Sequence, residues 1–248
     1  MNRVLLSYVP HMLRDHLMTR GGAMAVIAAV FVLPLVVTLA QVTDVTPEAL
    51  HGQGVALTLG LTPFLTLVAT YGLVGHDFRL GSYRSLFSKP ISVPLYYAML
   101  FCCAAVSFWL VQALLLLALA ALGINAWDPA AWLEMSLTFA LLGTLTFAMS
   151  RVTRLDWLYA FLLFQLAEPI RGLLPAAESI RGFLINVLFP PTQLFDLPPG
   201  AGANGQFSAL ISSGGAEWAS ITWLAGYATI CFVIGLWAVR RFPLASVQ

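Results

Sequence analysis

Long runs of apolar residues dominate this sequence and limit what the chain can fold into. Hydrophobic residues make up 60% of the 248 positions and charged residues only 9%, whereas soluble domains usually carry roughly 25% charged residues. The apolar residues form blocks of about 20, the length a helix needs to cross a hydrocarbon core roughly 30 Å thick. Because the alternating pattern of a membrane β-barrel is absent, each block is predicted to be a helix. We therefore predict an all-α polytopic membrane protein.

Six transmembrane helices are predicted within a single transmembrane domain, 1–248. The predicted spans are residues 23–40, 55–75, 93–120, 131–150, 155–174 and 219–239. Pro34, Pro63 and Pro169 lie inside three of them and are expected to kink these helices rather than end them, since neighbouring helices can satisfy the freed carbonyls. The 22-residue lead is long for the n-region of a signal peptide and the apolar block that follows is long for its h-region, so the first helix is predicted to be retained.

Basic residues are distributed unequally between the two sets of connecting segments. One set contains Arg3, Arg14, Arg20, Arg79, Arg84, Lys89, Arg151, Arg154, Arg240 and Arg241. The other contains only Arg171 and Arg181. Because cytoplasmic segments are enriched in Lys and Arg, both termini are predicted to be cytoplasmic. The net charge of +1 gives no basic surface of the kind that binds nucleic acid.

The N-terminal segment, 2–19, has the pattern of an amphipathic helix. Its apolar face would carry Leu5, Leu6, Val9, Met12, Leu13 and Leu17, and its polar face Arg3, Ser7, His11, Arg14 and Asp15. Such a helix lies in the membrane interface, with Arg3 and Arg14 near anionic headgroups. Pro10 either divides this helix or marks its start. The alternative is a frayed basic tail.

The segment 76–92, HDFRLGSYRSLFSKPIS, is the densest run of charge in the chain and is predicted to be cytoplasmic. Gly81 and Ser82 would end one short helix and begin another, and Pro90 would stop the second. From these residues alone, the segment is either a docking element for a cytoplasmic partner or a loop that only fixes the topology.

The outer segment, 175–218, is too long for a simple connection. Its first half, SIRGFLINVLF, is apolar and roughly helical, and its second half, PPTQLFDLPPGAGANGQ, is rich in Pro and Gly. The first half fits a short re-entrant hairpin or an external cap. The alternative is a plain external loop.

Ionisable residues within the spans are costly in lipid and therefore need a partner or water. Gln165, Glu168 and Arg171 lie in the predicted fifth span, and the spacing of Glu168 and Arg171 allows them to pair on one helix face. They form either a polar patch on a substrate path or outer gate, or a structural pair near the interface. Gln112 and Glu134 are weaker cases of the same kind.

The motifs of soluble catalysis and of metal binding are missing from the sequence. It contains no GxxxxGK(S/T) phosphate loop, no HExxH and no GxSxG, so ATP hydrolysis, zinc proteolysis and serine hydrolysis are not expected of this chain. Cys102, Cys103 and Cys231 lie in apolar segments and are interpreted as buried thiols without a metal. The four histidines, His11, His16, His51 and His76, are scattered and are interpreted as ordinary polar residues.

The order of these features resembles that of the ABC-2 type permeases, the membrane subunits of ATP-binding-cassette exporters. The resemblance in architecture covers the whole chain, and the local motif covers about 17 residues. The motif has an acidic residue, Gly-Thr, a Leu-Leu pair and Pro-Val/Ile-Ser/Thr. The matching positions are Asp77, Gly81, Ser82, Leu86, Phe87, Pro90, Ile91 and Ser92. Asp77 replaces the usual Glu and Ser82 the usual Thr, and Val93, Pro94 and Met99 occupy a stretch that often carries a basic residue.

This resemblance implies a fold, a set of partners and a location. The 2–19 helix would form an elbow at the membrane surface, 76–92 would contact a separate ATPase, and re-entrant helices in 175–218 would cap the pathway. The implied ATPase-coupling residues are Asp77, Arg79, Gly81, Ser82, Tyr83, Arg84, Lys89 and Pro90. Two permease copies, as a homodimer or heterodimer, would join two cytoplasmic ATPases in a bacterial inner membrane, with ATP and Mg²⁺ bound by the ATPases and no cofactor on this chain.

Two other functions are compatible with the same topology. A membrane scaffold or assembly factor would need no transport step, and only the 76–92 motif argues against it. An intramembrane enzyme acting on lipid would need a nucleophile and a base, or clustered acids, at one depth, which Glu168 and Arg171 do not supply.

The predicted topology can be tested by labelling in intact cells. A membrane-impermeant reagent should fail to label a cysteine introduced into 76–92 until the membrane is permeabilised, because the basic segments stay on the cytoplasmic side. Labelling of this stretch from outside would overturn the topology and the ATPase partnership with it.

Overall fold

The computed structural model describes residues 2–41, 46–75, 92–150, 153, 155–162, 166 and 216–241. All regular secondary structure within these ranges is helical, which confirms the all-α class. The long helices are α1 (Asn2–His16), α2 (Gly22–Gln41), α3 (Pro47–Thr70), α4 (Val93–Ala121), α5 (Pro129–Met149) and α6 (Ala216–Arg241).

Five helical stretches in the described ranges are long and apolar enough to cross a membrane, as expected of a multi-pass membrane protein. They are Ser7–Pro34, Pro47–Thr70, Val93–Ala121, Ala131–Met149 and Ile221–Arg240. Of the predicted span 155–174, only 155–162 and 166 are described, with helix at 156–162. The predicted outer segment 175–218 lies outside the described residues up to the start of α6.

The N-terminal lead and the first span form one helical run rather than two separate helices. A π-helical turn, Leu17–Gly21, joins α1 directly to α2. Pro10 lies inside α1 and neither starts nor divides it. The exposed side chains of α1 include His11 and Arg14, whereas Val9, Met12 and Leu13 are half-buried, as the predicted faces require.

Helix α3 begins eight residues before the predicted span 55–75 and ends five residues before its predicted end. The Oγ1 of Thr46 accepts a hydrogen bond from Ala49 N at 3.3 Å, and Pro47 occupies the first turn, so this sequence carries its own start signal. The helix continues through Pro63, and α2 likewise continues through Pro34. Pro169 lies outside the described residues.

Helix α5 packs extensively against both α3 and α6. Helix α4 contacts α1, α3 and α6, and α2 packs on α3 and α4. The main core holds large side chains from several helices, among them Leu65, Tyr97, Phe108 and Phe147. The share of buried residues is about half in α3 and α5 and much lower in the first and last spans, so the latter two lie at the periphery.

A stripe of four threonines, spaced four residues apart, runs along the buried side of α3. Thr58, Thr62, Thr66 and Thr70 are each at most 1% exposed. Their hydroxyls donate to carbonyls of the preceding turn at 2.7–2.8 Å, so these donors are satisfied within α3. Gln112 of α4 adds a link between helices, since its Nε2 donates to Thr62 Oγ1 at 3.1 Å. The weak pathway candidate Gln112 is thus a buried contact between α3 and α4.

Helices α5 and α6 approach closely at Gly235. A Cβ built on Gly235 would lie 2.6 Å from Cδ1 of Phe147, a side chain that is itself fully buried. On the same helix, a Cβ on Gly226 would meet nothing within 4 Å. The contact therefore depends on glycine at one position of α6 and tolerates a side chain at the other.

These two glycines provide a matched test of the α5–α6 contact. Gly235→Ala should lower the free energy of unfolding by about 1–3 kcal/mol, because the methyl group forces Phe147 out of its packed position. Gly226→Ala should leave it unchanged or raise it by up to about 1 kcal/mol, since alanine favours the helix. Thermal unfolding of both variants in detergent measures the difference, and equal effects would contradict the close approach.

Candidate functional site

A cavity of about 730 Å³ lies beside the π-helical turn, where α3 ends and α4 begins. The N-terminal run contributes Met12, Asp15, His16, Thr19, Arg20 and Ala23 to its lining. The other side is formed by Leu67, Val68, Tyr71, Leu73, Tyr96, Leu100 and Trp157. Its lining is thus mostly apolar and aromatic, and its polar side chains are Asp15, His16, Thr19 and Arg20.

Arg20 ties the π-helical turn to the end of α3. Its Nη1 donates to the carbonyl oxygen of Ala69 at 2.9 Å, and the side chain is half-buried. Ala69 lies in the last turn of α3, whose carbonyls have no partner within the helix. A guanidinium at this position also compensates the negative end of the helix dipole. Arg20 therefore has a structural role and at the same time presents a positive charge to the cavity.

A buried carboxylate holds the turn that follows α3. Oδ2 of Asp156 accepts a hydrogen bond from Gly72 N at 3.0 Å, and its Oδ1 accepts one from Trp157 N at 2.9 Å. Asp156 is only 2% exposed, so these backbone donors compensate for much of the cost of burying its charge. Gly72 has a φ of 58°, in the left-handed region that glycine adopts without strain.

The π-helical turn brings further polar groups to the cavity. His16 is 5% exposed, and its Nε2 has no hydrogen-bond partner within the described part of the chain. The hydroxyl of Thr19 donates to the carbonyl oxygen of Asp15 at 2.7 Å. π-Helical turns are uncommon and occur frequently at functional sites. This one places Asp15 and Arg20, five residues apart, on the same cavity.

Most residues of the predicted coupling segment lie outside the described residues. These are Asp77, Arg79, Gly81, Ser82, Tyr83, Arg84, Lys89 and Pro90. The described chain stops at Gly75 and resumes at Ser92. Leu73 and Tyr96, close to those two points, both line the cavity. The cavity thus lies at the base of the segment 76–91.

The other predicted site residues are not brought to this cavity within the described structure. Gln165, Glu168 and Arg171, the predicted outer gate, lie outside the described residues. Arg14 is exposed on α1 and does not line the cavity, and Arg3 lies in the first turn of the same helix.

Sequence reasoning missed the roles of three residues at this site. Arg20 counted only as a topology signal, His16 was interpreted as an ordinary polar residue, and Asp156 was not singled out. The position of Asp156 could have been recognised from the sequence, because it is an acidic residue at the start of an apolar block. Burying its carboxylate there costs free energy unless it accepts hydrogen bonds from backbone N–H groups. For Arg20 and His16 no such signal exists, since their positions depend on the π-helical turn.

Metal or disulfide chemistry has no structural support in the described ranges. These ranges contain no group of three His, Cys, Asp or Glu side chains that could hold a metal ion. The three cysteines are free thiols; Cys103 and Cys231 are buried as expected, but Cys102 is exposed on the outside of α4. The interpretation of Cys102 as buried was wrong, because α4 turns this position away from the bundle.

His51, at the other end of α3, is hydrogen-bonded through Nδ1 to the carbonyl oxygen of Asn125.

Comparison with known proteins gave no match to any family model, any curated protein or any solved structure.

The carboxylate of Asp156 can be tested directly. Asp156→Ala should lower the free energy of unfolding by about 1–3 kcal/mol, because Gly72 N–H is then left buried without an acceptor. Asp156→Asn should be milder, since its amide oxygen can still accept this bond. Thermal unfolding in detergent compares the two variants. An alanine variant as stable as the wild type would contradict the anchoring role.

Proposed function

We propose that this chain is the permease subunit of an ATP-driven exporter of the ABC-2 type. One structural observation carries the proposal. The residues that lead into the predicted coupling segment are attached to the bundle by two charged side chains, Arg20 at Ala69 and Asp156 at Gly72. These attachments give any movement of the segment a direct route into the bundle.

The attachment fits a segment that transmits force. A push on 76–91 from a cytoplasmic partner would act first on the turn Tyr71–Gly75 and on the start of α4. Asp156 connects this turn to the chain that follows α5, and Arg20 connects the end of α3 to the π-helical turn. Movement of the segment would thus reach several helices together, as a rigid-body shift between two states of the transporter requires.

The sequence indicates that nucleotide would be bound by a different subunit. Because no phosphate-loop motif occurs in the 248 residues, ATP and Mg²⁺ would be bound by a separate cytoplasmic ATPase. By the resemblance, two copies of this chain, or this chain and a related one, would assemble with two ATPases in a bacterial inner membrane. Both termini and the segment 76–92 would then face the cytoplasm.

Transport and scaffolding make different predictions for membrane vesicles. A permease moves its cargo only when the ATPase turns over, whereas a scaffold or assembly factor binds its partners without nucleotide-dependent movement. Reconstitution of the chain with its partner ATPase would distinguish the two functions. The chain alone is expected to have no ATPase activity.

Charge reversal in 76–92 tests the docking role. Arg84→Glu and Lys89→Glu should each weaken co-purification with the ATPase and lower its stimulation by the permease, because repulsion replaces attraction at the contact. Arg240→Glu, at the exposed end of α6, reverses a charge predicted to lie on the same side of the membrane and serves as the control.

The proposal fails if the reversed segment still binds and stimulates the ATPase normally. Equal weakening by Arg240→Glu would indicate a general charge effect rather than docking through 76–92, and would also contradict it.

A further inference from the structure

We propose that the cavity beside the π-helical turn binds one membrane phospholipid whose headgroup carries both a phosphate and an amine. Its lining includes none of the predicted outer-gate or ATPase-coupling residues, and the inference does not depend on the proposed transport function. The inference rests on the depth, the walls and the charges of the cavity.

The position of the cavity matches the level of lipid headgroups. It lies where α3 ends and α4 begins. The 24 residues of α3 make a helix of about 36 Å, long enough to cross a hydrocarbon core of roughly 30 Å, so its end lies near the membrane surface. Tyr71, Tyr96 and Trp157 line the cavity at this end, and such aromatic side chains are enriched at the membrane interface.

The walls of the cavity suit an amphiphile rather than a small polar solute. Leu67, Val68 and Leu100 supply apolar surface from the membrane-spanning parts of α3 and α4. Ala23 of α2 and Met12 of α1 complete this surface on the opposite side. A volume of about 730 Å³ lies within the roughly 300–1,000 Å³ usual for ligand sites. The cavity can therefore hold a headgroup together with the first part of its acyl chains.

The charged groups of the cavity favour a zwitterionic headgroup. Arg20 is half-buried in the wall, where its Nη1 is bonded to Ala69, and its guanidinium brings a positive charge that attracts a phosphate. Asp15, five residues earlier, is exposed and carries the opposite charge. A phosphate towards Arg20 and an ammonium towards Asp15 match the signs of the two side chains, whereas a purely anionic headgroup would be repelled by Asp15. An ethanolamine phospholipid has this combination.

Photo-crosslinking of the full-length chain in detergent tests the site. The probe is a phosphatidylethanolamine with a diazirine on an acyl carbon close to the headgroup, and mass spectrometry maps the labelled peptides. Label is expected on the stretches that contain Leu67, Val68 and Leu100. Unlabelled phosphatidylethanolamine should compete more strongly than phosphatidylglycerol, and Asp15→Asn should remove this preference.

Two variants remove binding in different ways, and each has a matched control. Arg20→Gln should reduce labelling about tenfold or more, because a hydrogen bond to a charged group is lost. Ala23→Trp should reduce it by filling the cavity while the charges stay in place, which covers the case in which Arg20→Gln does not fold. Arg14→Gln and Ala25→Trp change exposed residues outside the cavity and should label like the wild type.

Several results would overturn the proposal. An equal loss of labelling in Arg14→Gln would show that headgroups are attracted to the basic helix in general and not to this cavity. Competition by inorganic phosphate as strong as that by the lipid would assign the cavity to a soluble anion. Undiminished labelling in Ala23→Trp would place the lipid elsewhere. Because the assay uses the chain alone, none of these results bears on the ATPase partnership.

Discussion

Much of this structure depends on how the backbone groups at the C-terminal end of α3 find hydrogen-bond partners. A helix within a membrane satisfies its backbone internally, but the carbonyls of its last turn and the amides of the following turn have no such partner. Here Arg20 supplies a donor to Ala69, and Asp156 supplies an acceptor to Gly72. Charged side chains from two distant parts of the sequence thus converge on one helix end, and the cavity lies beside them.

In the interior of the bundle, by contrast, side-chain hydroxyls bond to carbonyls of the helix that carries them. The hydroxyls of the threonine stripe bond to carbonyls of α3 itself, so α5 can approach the methyl groups of Thr66 and Thr70 at Gly143. Thr62 and Gln112 form the exception that links two helices. The charged side chains that could meet a ligand in this cavity therefore lie at the helix end.

The apolar blocks were sufficient to predict the helical class and the presence of several helices long and apolar enough to cross a membrane, because length and hydropathy act locally. Helix ends were predicted less well: α3 starts at Pro47 owing to a Thr46 cap that the hydropathy of the block does not include. The cavity could not be predicted, since it requires the π-helical turn to place Asp15 and Arg20 together. No local pattern in LMTRG distinguishes a π-helical turn from an α-helical one. The coupling residues from Asp77 to Pro90 stay predictions, because they lie outside the described residues.

The cavity and the coupling segment share their structural base. Leu73 lies just before the segment 76–91 and Tyr96 just after it, and both line the cavity together with Arg20. A lipid in this cavity would contact both flanks of the segment and the arginine that anchors α3. Since a ligand shifts a conformational equilibrium only when it binds one state more tightly, a movement of these flanks that altered the cavity would change the affinity for that lipid. Lipid occupancy and the position of the segment are then thermodynamically coupled, and each must influence the other by the same factor.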